Sequence, residues 1–175
     1  MTTFTDYLLP IVDTGLILPP TNGELNFLRA GRTFVSSLDN NYVNWGLNFS
    51  DKPTNKAPFM VYKLIKNGNF EQIYNSFALP LNELCMTQHQ IITFCLTFPE
   101  KLVQEEYFNF FLSKKDGVGH TEYFVTQIAI LNERLANSVR LISLPHVWLK
   151  EYDLRFIVPQ VQPSSRGLYS VKTKK

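Results

Sequence analysis

Gln90-Ile91-Ile92-Thr93-Phe94-Cys95-Leu96-Thr97-Phe98 is the stretch whose reading decides the fold. Taken with a period of two, Ile92, Phe94, Leu96 and Phe98 fall on one face and Ile91, Thr93, Cys95 and Thr97 on the other, the alternation of a half-buried strand. Pro99 ends the run, because it has no N–H to continue a ladder. Read this way, 90–98 is an expected core strand, and the segments around it are expected to supply its neighbours.

Downstream, 107–113 and 123–131 flank Lys114-Lys115-Asp116-Gly117-Val118-Gly119, a glycine-bearing loop that reads as a hairpin. Residues 132–137 fit one helical turn, and 139–144, 147–149 and 152–158 read as further short strands. Upstream, 60–65 and 70–77 flank Lys66-Asn67-Gly68-Asn69, whose Asn-Gly suits a type I′ turn. Residues 33–38 and 42–49 flank the turn-forming Asp39-Asn40-Asn41. Residues 79–86, around Pro80, read as a short helical or irregular crossover. Eight to ten short strands with no long amphipathic helix predict an all-β domain. The expected fold is an antiparallel β-sandwich, immunoglobulin-like or jelly-roll, at 27–159.

The composition agrees with one globular domain. The 175 residues are 45% hydrophobic and 18% charged, with 14 Phe and 8 Tyr, a balance that favours pleated, half-buried surfaces. A net charge of +2 is too small for a nucleic-acid or anionic-membrane footprint. The polar, basic segment 160–175, with Arg166, Lys172, Lys174 and Lys175, reads as a solvating tail rather than a phosphate-binding surface. The N-terminus lacks the basic start of a secretory signal, and no window is apolar enough to span a membrane, so a soluble, cytoplasmically made chain is expected. The sequon Asn48-Phe49-Ser50 is then expected to be accidental.

Residues 1–26 form an expected extended arm. Pro10, Pro19 and Pro20 forbid a continuous helix, yet Tyr7, Leu8, Leu9, Ile11, Val12, Leu16, Ile17 and Leu18 are too apolar for a solvated tail. The arm must lie on its own domain or on a neighbouring subunit. These eight residues are the expected partner-binding set.

Reactive groups do not converge in the sequence. Cys85 and Cys95 could pair but read as buried free thiols. A thiol of either with His89 would need an orienting third group and an accessible, electropositive setting. His89, His120 and His146 lack partners at metal-ligand spacing. Glu105 and Glu106 would point to opposite faces of a strand, and Gly15, Gly23, Gly31 and Gly46 build no phosphate loop. No residue is therefore assigned a catalytic, cofactor-binding or metal-binding role, and the chain is expected not to be an enzyme.

The segment from Glu105-Glu106-Tyr107-Phe108-Asn109-Phe110-Phe111-Leu112-Ser113 through Lys114-Lys115-Asp116-Gly117, with Glu122-Tyr123-Phe124-Val125-Thr126-Gln127-Ile128, resembles the closing hairpin of small β-sandwich modules in phage tails and baseplates. The preceding strand expected at 91–98 and its short connection resemble those modules too, so the resemblance covers about a quarter of the chain and implies a virion structural role with no catalytic residues. The expected function is that of a non-enzymatic assembly subunit, viral in kind: a capsid, connector, tail or baseplate component. Its expected partners are further copies of itself or other virion proteins. The alternative is a stand-alone β-sandwich module that binds carbohydrate or a protein ligand, with Trp45, Trp148 or a tyrosine cluster as the stacking surface.

Overall fold

The computed structural model describes residues 5–12, 15–31, 35–104, 107–131 and 134–160, and the statements below concern these. The chain is β-rich, as expected, but its strands lie in one mixed eight-stranded sheet rather than in an antiparallel sandwich. β1 (Leu8–Pro10), β2 (Leu16–Leu18), β3 (Val35–Leu38) and β4 (Ala57–Leu64) come first. β5 (Asn109–Asp116), β6 (Thr121–Leu131), β7 (Arg134–Leu141) and β8 (Arg155–Pro159) follow. The order across the sheet is β1-β4-β8-β5-β6-β7-β3, with β2 also on β4. β5 runs parallel to β8 and β3 parallel to β7, while the remaining pairs are antiparallel.

Two of the three corrections upstream of β5 share one physical cause: strand-like composition overruled by a capping box at the helix start. The expected strand 90–98 is helix α4 (Gln88–Thr97). Thr87 accepts the Gln90 N–H at 3.1 Å, and the Gln90 side chain accepts the Thr87 N–H at 3.0 Å. This reciprocal capping box satisfies two of the donors that a helix start leaves orphaned. Leu96, expected to share a core face with Phe94, is 62% exposed, whereas Phe94 is fully buried. The expected strand 70–77 is helix α3 (Phe70–Asn75), closed by the same device between Asn69 and Gln72. Its buried residues Phe70, Ile73 and Tyr74, with Phe77 just past its end, recur at the spacing of one helix face. Gly68 does not turn a hairpin but bridges to Trp148. Instead of a strand, 42–49 holds the single turn α2 (Asn41–Asn44) and a loop. In the reverse sense, the turn of helix expected at 132–137 lies within β7 from Arg134 onward. Residues 79–86 do contain a short 3₁₀ turn, Leu81–Leu84.

The sheet is covered on both faces, so alternate residues of one strand enter different cores. Phe59 and Val61 of β4, Phe111 of β5 and Ile157 of β8 pack with Ile91, Phe94 and Cys95 of α4. Phe27 of α1 (Phe27–Ala30) and Tyr42 of α2 join that side. The intervening residues Met60, Tyr62, Phe110 and Phe156 pack instead with Phe70, Ile73 and Tyr74 of α3. Two-sided burial explains why β4, β5 and β8 read as nearly continuous apolar runs.

Candidate functional site

The β5–β6 hairpin is observed, paired from Asn109↔Ile128 to Asp116↔Thr121. At its tip end a cleft of about 640 Å³ opens between three segments distant in sequence. One wall is the loop 46–52, the second is 82–87 ahead of α4, and the third is the end of β5. Phe49, Cys85 and Met86 give it an apolar side, and Lys52, Lys114, Lys115, Asp51 and Asp116 give it charge.

Each wall is fixed by local chemistry. Gln88 ties the first loop to α4: its side-chain amide donates to the Leu47 carbonyl, and its carbonyl accepts the Phe27 N–H at 3.3 Å. Asp51 accepts the Gln88 N–H at 3.0 Å, which places a carboxylate against the positive end of α4. Met86 N–H donates to the Leu112 carbonyl at 2.7 Å and pins the second wall to β5. Lys115 donates to the Trp45 carbonyl at 2.8 Å. Lys114 is shared between the Asn82 side chain and Asp116, the latter at 3.3 Å.

The two acids are shifted in opposite senses. Burial raises the Asp51 carboxyl above its ordinary value, opposed by the Gln88 N–H and by the nearby His89. The hydroxyl of Thr121, 3.0 Å away, and then Lys114 hold Asp116 below it. Both carboxylates are thus engaged by protein donors. Lys52 and Lys115, by contrast, have no carboxylate within ion-pair distance among the described residues.

The groups considered for nucleophilic or metal chemistry are engaged elsewhere. Cys85 and Cys95 are free thiols. The Cys85 thiol donates to the Leu81 carbonyl at 3.2 Å, and burial pushes it up to about 12. Cys95 is buried in α4 and is raised still further by the same cause. His89 accepts the Leu25 N–H on Nδ1 at 3.4 Å. His120 lies at the exposed hairpin tip, and His146 stacks edge-on against Trp148, ring centres 4.5 Å apart. Glu105 and Glu106 fall outside the described residues, as does the tail beyond Gln160.

The eight arm residues divide between the molecule's own core and its surface. Leu8 is buried on the α3 side and Leu18 on the α4 side. Tyr7, Val12 and Leu16 are half-buried against those cores, and the Tyr7 ring also carries Lys66 4.6 Å from its centre. Leu9, Ile11 and Ile17 point outward. Of the two tryptophans, Trp148 packs among Phe70, Phe108 and Phe110. Trp45 stacks on Phe124 at 5.9 Å and lines a groove of about 340 Å³ with Glu122 and Leu141.

Searches against protein-family models, curated proteins and solved structures find no match to this chain. No helix among the described residues is long and apolar enough to cross a membrane.

Proposed function

We infer that the chain is a non-enzymatic assembly subunit that associates with further copies of itself through the sheet edge built by its N-terminal segment. The observation that carries this reading is the outward set Leu9 on β1, Ile11 just after it and Ile17 on β2, the strands at that end of the sheet. An outermost strand presents unpaired backbone groups to solvent, and apolar side chains beside them favour strand addition over hydration. Pro10 removes one donor from this edge, which restricts the pairing to short segments. A virion component, as the hairpin's resemblance to phage tail modules implies, is the setting this reading suits.

Light scattering tests it. The full chain forms a defined oligomer in the micromolar range, and Leu9→Lys with Ile17→Lys returns it to monomer without lowering its thermal midpoint. A full chain that stays monomeric at every concentration overturns the reading.

A second reading rests on Trp45. Its half-buried ring in a shallow groove with Glu122 is the arrangement a sugar ring stacks on. A carbohydrate ligand would quench or shift Trp45 emission and lose that effect in Trp45→Ala. Emission unmoved by a sugar panel removes it.

A further inference from the structure

The cleft beside the hairpin is independent of the edge strands, and it combines features that ordinary surface depressions lack. Its volume of about 640 Å³ lies within the range of small-molecule sites, roughly 300–1,000 Å³. Its charge is unbalanced in a specific way. Asp116 is satisfied by Thr121 and Lys114, and Asp51 by the Gln88 N–H. The ammonium groups of Lys52 and Lys115 have no carboxylate within ion-pair distance among the described residues, although Lys52 is near enough to help hold Asp116 ionised. Lys115 is moreover held in place by a neutral carbonyl, that of Trp45, so its charge is positioned without being cancelled.

The opposite side of the same cleft is apolar, built from Phe49, Cys85 and Met86. A free inorganic ion would leave that side wet, while a neutral apolar ligand would leave the two ammonium groups unused. No arginine lines the cleft, so its recognition rests on lysine point charges rather than on a planar fork. Two such charges match the nearly double negative charge of a phosphate monoester at about pH 7 better than the single charge of a carboxylate. We propose that this cleft binds a phosphate monoester with a flat apolar body, the phosphate between Lys52 and Lys115 and the body against Phe49 and Met86.

Titration calorimetry on the full chain tests this with three probes: AMP, phenyl phosphate and inorganic phosphate. AMP or phenyl phosphate binds, inorganic phosphate binds at least tenfold more weakly, and Lys52→Met with Lys115→Met weakens the organic phosphate at least tenfold. Lys52→Glu alone, at an exposed rim position, produces a comparable loss and guards against a folding defect from Lys115. Unchanged circular dichroism and thermal midpoint assign the loss to the site. No saturable binding of either organic phosphate overturns the proposal, as does binding that survives both lysine changes. Equal affinity for inorganic phosphate overturns the assignment of the apolar wall.

Discussion

Gly23 holds φ at +78°, and a Cβ placed there would sit 2.2 Å from the Asp51 carbonyl oxygen. Its own carbonyl accepts the Asp51 N–H at 2.9 Å, so the end of the arm is stitched to the cleft loop by backbone alone. Gly23→Ala should therefore cost at least the roughly 1–3 kcal/mol of a strained backbone, measured by denaturant unfolding. Asp51, in the same contact, sets a pH dependence of definite sign. Its carboxyl is raised by burial, so the native state holds this proton to a higher pH than the unfolded chain, whose value is about 4. The stabilisation it gives is complete below that value and is lost as pH rises through the folded value. Asp51→Asn keeps a carbonyl oxygen for the Gln88 N–H and removes the charge. Its thermal midpoint should exceed that of the parent at pH 7 and converge with it in acid. The thiols give a third check. With both raised by burial, neither Cys85 nor Cys95 should react with a disulfide reagent at pH 8 in the native state, and both should react in denaturant, because the thiolate is the reactive form.

At the scale of elements, α4 separates two readings of one stretch. In a strand, Phe94 and Leu96 would share a buried face, and truncating either would be costly. In the helix, Phe94→Ala should cost about 3–5 kcal/mol, while Leu96→Lys should stay within about 0.5 kcal/mol. Thr87→Ala removes one half of the capping box and should cost about 1 kcal/mol. These three unfolding experiments distinguish the alternatives without a structure. Strands β5, β6 and β8 were legible because turn or stop signals flank them: Asp116-Gly117 closes β5 on β6, and Pro159 ends β8. The first half of β7 read instead as a helical turn, and the strand expected at 147–149 is only the bridge of Trp148 to Gly68. Residues 88–97 were not legible, because Ile91, Ile92, Thr93 and Phe94 suit either element, and the deciding signal lay outside the run. That signal was Thr87 three residues before Gln90, with Asn69 before Gln72 as its counterpart at α3. The helical spacing of Phe70, Ile73, Tyr74 and Phe77 was also present in the sequence, obscured by the Asn67-Gly68 turn signal. The cleft had no local signature. Lys52, Cys85 and Lys115 lie on three segments that meet only once α4 has folded back across the sheet.

At the scale of the whole molecule, the N-terminal segment is part of the core it leads into. Removing residues 1–23 would delete Leu8 from one face of the sheet and Leu18 from the other, and would strip β4 of its partners on the side away from β8. Such a truncation should unfold or aggregate, which is why single outward substitutions are the sounder probe of assembly.

β8 carries a different consequence. Residues 155–159 come last among the described strands but lie between β4 and β5, paired on both sides. While the chain emerges from a ribosome, β4 and β5 must each wait with an apolar edge open until the final strand is delivered. Closing them together demands contacts between residues nearly a hundred positions apart, such as Met60 with Val158, the kind of topology that folds slowly. The nascent protein is thus exposed to wrong pairings for most of its synthesis, and a stop before Arg155 should leave an insoluble product rather than a smaller domain.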